Sequence, residues 1–305
     1  MRPPPQADLP PVDAYALPRS AVGRAFHRAS PRYDAAARLQ ATVREELLSR
    51  LDGLTVAPDV VLDLGAGTGV ATAALKRRYR RAQVIALDLA PGMLRETRRR
   101  SRFWRPLQAV AGDAMRLPLR DASVDLVFSS LMFQWCDDLD AALSESARVL
   151  KPGGLLLFSS FGPETLRELR AAWATVDEAV HVNHFVDMHD LGGALQRAGL
   201  SEPVLDVDRH VLHYADAMAL MRELKAIGAH NVNAGRSRAL TGRQRLARMT
   251  QHYETRRTPA GLPATYEVVY ATAWRPADAE PRVAVAAESR VSLATLTASL
   301  RRRRP

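Results

Sequence analysis

Apolar residues change their spacing several times along the chain, and each change marks a boundary between predicted elements. Ala37, Leu39, Val43, Leu47, Leu48 and Leu51 recur at helical spacing between charged residues, which predicts a helix over 34–51. The pattern then shortens. Val60, Val61, Leu62, Asp63 and Leu64 form a branched apolar run that ends in glycines and leads into helical spacing around 71–76. The same order returns with strand 83–88 and helix 91–100, strand 107–111, strand 124–129 with helix 139–149, and strand 154–160. Buried apolar strands alternating with helices predict an α/β fold whose mostly parallel sheet has helices on both faces.

Beyond residue 161 the pattern predicts helices over 163–178, 188–198 and 215–227, a polar stretch over 229–250, and a valine- and aromatic-rich final strand from Tyr266 to Trp274. The alternation is therefore interrupted between 209 and 264, and this insertion is expected to form a helical lid beside the site. Lys151-Pro152-Gly153-Gly154 reads as a turn separating a helix from a strand. The expected division is a proline-rich, disordered lead-in over 1–18, one domain over 19–274, and a mobile tail over 275–305 that closes on an arginine run.

Composition narrows the classes of function. The 305 residues are 47% hydrophobic, enough for one main domain with appendages. A formal charge of +10 favours an acidic partner or surface without choosing among them. Cys136 is the only cysteine, which excludes an internal disulfide and thiolate zinc sites and leads us to expect the cytoplasm. The first residues lack an apolar segment, so neither a secretory signal nor a membrane anchor is expected there.

The candidate chemistry begins at Asp63-Leu64-Gly65-Ala66-Gly67-Thr68-Gly69, between a predicted buried strand and a helix. Glycines allow backbone angles closed to other residues and let N–H groups approach a ligand. A dinucleotide turn requires GxGxxG, but Val70 occupies the final glycine position, and no GxxxxGK[ST] loop occurs. An acid two residues before Gly65 would repel a phosphate but could hold the ammonium group of S-adenosylmethionine. Asp88 ends the second strand, where a carboxylate accepts hydrogen bonds from ribose hydroxyls. Asp113, in Gly112-Asp113-Ala114-Met115, follows the third strand and could accept from an adenine amine, with Leu89, Met93 and Met115 as apolar walls. Open parallel sheets bind ligands at the carboxyl ends of their strands, where all three acids fall.

The segments VLDLGAGTG, ALDLAPGML, GDAMRLPL, VDLVFSSLMFQW and RVLKPGG resemble, in order and spacing, the motifs of class I S-adenosylmethionine methyltransferases. FGPETLRELRAAW, HVNHFVDMHDLGGALQRAGL, LMRELKAIGAHN and GLPATYEVVYATAW are similar to segments of the malonyl-acyl-carrier-protein O-methyltransferases of biotin synthesis, the BioC family. The resemblance spans roughly Arg19 to Trp274 and implies a Rossmann-like sheet with an antiparallel final strand. It implies S-adenosylmethionine as cofactor and malonyl-acyl carrier protein as substrate, whose carboxylate becomes a methyl ester that primes synthesis of the biotin precursor. It assigns Asp63, Gly65, Gly67 and Gly69 to the methionine end, Asp88 to ribose, and Asp113 to adenine, and Ala114 and Met115 beside Asp113 are expected among the cofactor-binding residues. Ser130 stands where relatives often carry asparagine, and Tyr33, in SPRYDAAARLQ, matches a tyrosine that relatives place near the reacting methyl group.

A carboxylate is already ionised at neutral pH, so such a transfer needs alignment and water exclusion rather than a strong base. Arg222 and Lys225 are candidates to hold the substrate carboxylate. The positive balance suits an acidic carrier protein. The basic runs Arg77-Arg78, Arg80-Arg81, Arg95, Arg98 to Arg100, Arg102 and Arg105 lack any accompanying nucleic-acid motif, so no nucleic-acid or membrane partner is expected. A monomer is the expected state. His181, His184, Asp187 and His189 cluster without an HExxH pattern, and no metal is expected. Two alternatives stay open: a methyltransferase acting on a small carboxylic acid or quinone precursor, and a non-methylating S-adenosylmethionine-binding assembly factor.

Overall fold

The computed structural model describes residues 15–101, 106–236 and 242–278. Its strands are β1 (Val60–Leu64), β2 (Gln83–Asp88), β3 (Gln108–Ala111), β4 (Val124–Ser130), β5 (Leu150–Phe161), β6 (Ser201–Tyr214) and β7 (Leu262–Trp274). They form one seven-stranded sheet in the order β3-β2-β1-β4-β5-β7-β6. β1 pairs in parallel with both β2 and β4, while β7 runs antiparallel to β5 and β6. The final strand alone therefore opposes the others, as the sequence resemblance implies. The register sets Asp88 opposite Ala111 and Leu64 opposite Leu87, so the ends of β1, β2 and β3 share one edge. The strand order reverses beside that edge, between β1 and β4, where open α/β sheets form crevices.

The helices are α1 (Arg19–Ala29), α2 (Tyr33–Ala36), α3 (Arg38–Ser49), α4 (Val70–Arg78), α5 (Pro91–Arg100), α6 (Leu139–Val149), α7 (Arg167–Ala174), α8 (Met188–Arg197), α9 (Ala217–Ala226) and α10 (Arg243–Glu254). Successive strand residues face opposite sides, and the core divides accordingly. Val61, Leu126, Leu155, Leu157, Val268 and Tyr270 pack with α3, α4, α7, α9 and α10. Leu62, Val127, Leu156, Phe158, Val269 and Ala271 pack with α6 and α8 on the other face. Removing this apolar surface from water on both sides is the main stabilising contribution to the sheet.

Several expectations change. The sequence pattern does not reveal β6, because this edge strand alternates exposed and half-buried positions and carries Pro203, Asp206 and Asp208. β6 extends to Tyr214 and β7 starts at Leu262, so the interrupting insertion is 215–261 rather than 209–264. α1 was not anticipated either, and the helix expected over 34–51 breaks at Ala37, whose ψ of 52° is not helical. The helix expected over 163–178 shortens to α7 because Leu166 adopts a left-handed φ of 55° at its start. Lys151 to Gly154 lie within β5 as an irregularity: partners advance from Leu150 to Leu155 while β4 moves only from Val124 to Leu126.

The body also extends past both expected domain limits. Leu17 is buried, with its N–H donating to Asp137 Oδ1 at 2.8 Å. Arg275 is buried as well, donating through its backbone to Gly154 O at 2.8 Å and through its guanidinium to Arg148 O at 3.0 Å. The remaining lead-in, the arginine-ending tail, Arg102 and Arg105 lie outside the described residues.

Candidate functional site

The turn after β1 is pinned to its neighbour before any ligand is considered. Gly65 N and Ala66 N both donate to Leu87 O, at 2.8 and 3.0 Å, which holds the loop against the end of β2. Gly65 has φ of 75°, and a Cβ there would stand 2.3 Å from Met132 Cγ. No side chain fits at that position. Gly69, at φ of 82°, lets α4 begin against α5, since a Cβ would meet Thr97 Cα at 2.9 Å. Gly67 N donates to Asp88 Oδ2 at 2.9 Å, joining the turn to the second acid, and Ala90 N donates to Asp88 Oδ1 at 2.7 Å.

These elements border a cavity that opens to solvent. Gly65, Gly67, Asp88, Leu89, Met93, Asp113, Ala114, Met115, Ser130 and Tyr33 all line it. Asp63 and Gly69 do not. Asp63 lies beneath the turn, 1% exposed, and accepts from Thr72 Oγ1 at 2.5 Å. Burial pushes its carboxyl up to about 7, with the Thr72 hydrogen bond opposing and Asp88 reinforcing the shift. Burial likewise raises Asp88 to about 6 against the backbone N–H groups of Ala90, Gly67 and Leu89, which favour its charge. Asp113 Oδ1 accepts from Met115 N at 3.0 Å, and Arg19 at the start of α1 donates to its other oxygen. Asp88 and Asp113 outnumber Arg19 on the wall, so the cavity favours a cation over a pyrophosphate. S-adenosylmethionine, with its sulfonium and ammonium groups, fits that charge, and the cramped Gly65 turn fits a ligand lying against backbone.

A second, larger cavity, also open to solvent, lies under α1, α2, α7 and α9. Its wall is mostly apolar and aromatic, with Phe161, Leu166, Trp173, Phe185 and Tyr266 prominent. Phe26, Tyr33, Leu131 and Trp135 line both cavities, so this second space meets the first along one shared wall. Phe26 packs edge-on against Trp135 at 5.0 Å between ring centroids. Leu131 holds a left-handed φ of 52°, fixed because its N–H donates to Ser159 O at 3.0 Å and Ser159 Oγ at 3.1 Å. A leucine in that conformation marks stored backbone strain where the cavities meet. Burial drives the Tyr33 hydroxyl well above its ordinary range, so it is a neutral donor there.

The two candidate substrate cations separate. Lys225 lines the second cavity, whereas Arg222 sits on the outer side of α9, 72% exposed, donating to Met218 O at 3.2 Å and facing Asp216 at 3.9 Å. The histidine group disperses too. His181 lines the second cavity, stacked on Trp173 at 3.8 Å, and pairs with Asp177 at 2.7 Å. His184 packs on Tyr15, Asp187 caps α8, and His189 is exposed. No cluster able to hold a metal occurs among the described residues. Cys136 lines the first cavity, its thiol pushed by burial up to about 12. The sequence pattern reveals neither Leu17, which precedes α1, nor Val22 and Phe26 on α1. Their only sequence signal is weak: Val22, Ala25, Phe26 and Ala29 at helical spacing in RSAVGRAFHRA.

No helix among the described residues is long and apolar enough to cross a membrane. The family described as "Methyltransferase domain" matches residues 62–158, from β1 into β5, the part of the sheet that carries the glycine turn. Among solved structures, the chain resembles the YcgJ protein of a Bacillus species (TM-score 0.56, 17% identity, 76% of this chain and 98% of that one). It also resembles an S-adenosylmethionine-dependent methyltransferase from Thermotoga maritima (TM-score 0.51, 19% identity, 83% and 99%). At these identities the likeness establishes the fold. Curated relatives are much nearer. The malonyl-[acyl-carrier protein] O-methyltransferase of Methylovorus sp. (strain MP688) is 52% identical, covering 87% of this chain and 92% of its own. The protein of that name from Laribacter hongkongensis is 50% identical over 89% and 94%. The Cellvibrio japonicus biotin biosynthesis bifunctional protein BioHC is 43% identical, with 86% of this chain matching 51% of that protein. With this identity sustained across most of both chains in the first two relatives, the chain belongs to the malonyl-[acyl-carrier protein] O-methyltransferase family of class I methyltransferases.

Proposed function

We propose that this chain transfers the methyl group of S-adenosylmethionine to the free carboxylate of a malonyl group carried as a thioester by an acyl carrier protein. The observation that carries the reading is the shared wall: a cation-favouring cavity and a larger apolar one meet at Phe26, Tyr33, Leu131 and Trp135. The cofactor supplies an electrophilic methyl group, and the acceptor is already an anion, so the protein's task is alignment. Asp88 and Asp113 orient ribose and adenine from adjoining strand ends, Ala114 and Met115 wall the ring, and the charge of Asp63 beneath the turn favours the ammonium end. Ser130 borders the cofactor space without a role of its own. Tyr33, at the shared wall, holds the acceptor carboxylate through its neutral hydroxyl. Lys225 supplies the countercharge, and the apolar walls exclude water that would blunt the nucleophile.

The helical connection 215–261 acts as a lid over the acceptor. On this reading a monomer is the working unit. On this reading the enzyme works in the cytoplasm, beside the synthesis of malonyl carrier protein. The product is a methyl ester whose masked carboxylate suits it as a primer for chain extension in biotin synthesis, an assignment the relatives' names support.

The test is competition between malonyl and succinyl carrier proteins for labelled S-adenosylmethionine. Malonyl methyl ester should dominate. Absence of ester on malonyl carrier protein, with the carrier shown to be correctly loaded, sinks the proposal.

A further inference from the structure

A third cavity, of about 440 Å³, opens between α1 and the segment around 230–236, lined by Arg24, Arg28, Arg236 and His230. His230 also lines the apolar cavity, so the two spaces adjoin across its ring. The placement of the arginines is structural. Leu17, Val22 and Ala25 pack with Val232, and Ala234 N donates to Ala16 O at 2.9 Å, so the N-terminal helix and this segment form one unit.

The charge of this pocket is unbalanced. Arg19, Arg100, Arg222 and Arg245 each face an aspartate, but Arg24, Arg28 and Arg236 have no ion pair among the described residues. Arg24 and Arg28 are one helical turn apart on α1, where like charges oppose each other. His230 adds a buried Nδ1 with no hydrogen-bond partner at the border between the cavities. Its burial, with Arg236, Arg28 and Lys225 near it, holds it below the usual histidine range, so it is neutral and free to donate or accept. Three unpaired cations around a pocket and an unsatisfied buried nitrogen call for a small, multiply hydrogen-bonding anion.

The order of chemistries suggests which anion. From outside inward the protein offers three guanidinium groups, then His230, then an apolar cavity with Lys225, then the wall shared with the cofactor. The arm of a carrier protein has a phosphodiester at its root, a long uncharged chain, and the acyl thioester at its tip. We propose that Arg24, Arg28 and Arg236 bind the phosphodiester of the phosphopantetheine arm at the entrance to the acyl cavity. This rests on the acceptor assigned above. Planar guanidinium groups match phosphate oxygens geometrically, and the phosphate then fixes how deeply the arm penetrates.

Two small acceptors isolate the phosphate: malonyl phosphopantetheine and malonyl pantetheine, which lacks it. The wild-type protein should methylate both with similar kcat but with KM about tenfold lower for the phosphorylated form, as expected for charge-assisted hydrogen bonds partly exposed to water. The double variant Arg24→Ala/Arg28→Ala should raise the KM of malonyl phosphopantetheine to that of malonyl pantetheine. The KM of malonyl pantetheine and the cofactor Kd should not move. Arg236→Ala, on an exposed side chain, should act in the same direction and serves should the double variant disturb α1. Equal KM values for both acceptors in the wild type overturn the proposal. So does a variant that binds malonyl carrier protein less well yet keeps its preference for the phosphorylated small acceptor, because the arginines would then be meeting carboxylates of the carrier. Methylation of neither small acceptor nor malonyl carrier protein by the wild type sinks the acceptor assignment first, and this proposal with it.

Discussion

The two main cavities touch along one wall, yet they are built in opposite ways. The polar floor of the cofactor cavity comes from backbone and short side chains at the ends of adjoining strands, Gly65, Gly67, Asp88, Asp113 and Ser130, beneath apolar walls that include Leu89, Met93 and Met115. The acyl cavity is assembled from side chains brought together from α1, α2, α7, the 181–185 segment, α9 and β7. A site held by backbone geometry tolerates almost no substitution, whereas a cavity of apolar side chains tolerates changes that keep volume and lose one polar contact. The teaching is that binding of the cofactor and binding of the acceptor should fail separately.

The largest break should come from Gly65→Ala. Its φ of 75° and a methyl group 2.3 Å from Met132 Cγ combine strain with loss of the space beside the turn. Strain of a few kcal/mol predicts a weakening of cofactor affinity of about a hundredfold or more, measured by calorimetric titration. Acceptor turnover should fall with it.

Next in size is the pH response of the cofactor cavity. Burial raises Asp63 to about 7 and Asp88 to about 6, so both are partly protonated in the ligand-free protein near neutral pH. A cationic ligand needs them ionised. Cofactor affinity should therefore rise as pH increases from about 5.5 to 8, given these values and an ordinary carboxylate near 4. Since the folded values exceed the unfolded ones, the folded state holds the extra protons. Stability of the free protein should thus fall as pH climbs from about 4, the unfolded carboxylate value, to about 7. Asp88→Asn should weaken binding about thirtyfold, through loss of charge-assisted bonds, and flatten the affinity profile. A profile as steep as that of the wild type would assign the titration elsewhere.

The acyl cavity should respond less and on a different axis. Lys225→Ala should raise the KM for malonyl carrier protein about tenfold while leaving the cofactor Kd unchanged, through loss of one partly exposed charge contact. Arg222→Ala should change either constant by less than about twofold, because an exposed pair such as that with Asp216 contributes little. Steady-state kinetics of the two variants side by side would collapse the comparison if Arg222 proved the more sensitive.

The same division governs what could be read from the sequence. The cofactor half is legible because its determinants are local: a buried strand, a glycine at each left-handed position, an acid at each strand end. Asp88, Leu89, Met93, Asp113, Ala114, Met115 and Ser130 accordingly line one cavity. Asp63 is one shell removed because a strand's last residues alternate faces, and its side chain turns under the loop toward Thr72. Beyond β5 the local signals weaken. β6 is an edge strand with one side in water, so its apolar pattern is diluted. The 4-residue α2 ends at Ala37, whose φ of −85° and ψ of 52° no residue type in this stretch signals. Leu131, whose strained backbone marks the junction, has no signature at all, since nothing in the residue type predicts a positive φ. Lys225 and Arg222 share a helix, and only its docking decides which of them reaches the cavity.

The central claim is that a free carboxylate on a carrier-bound acyl group receives the methyl at the wall the two cavities share. The most direct measurement is intact mass of malonyl and acetyl carrier proteins, identical but for that carboxylate, after incubation with the protein and S-adenosylmethionine. The account predicts one added methyl on malonyl carrier protein, removed by mild base as an ester, and none on acetyl carrier protein. Equal methylation of both, or a base-stable methyl group on either, would contradict it.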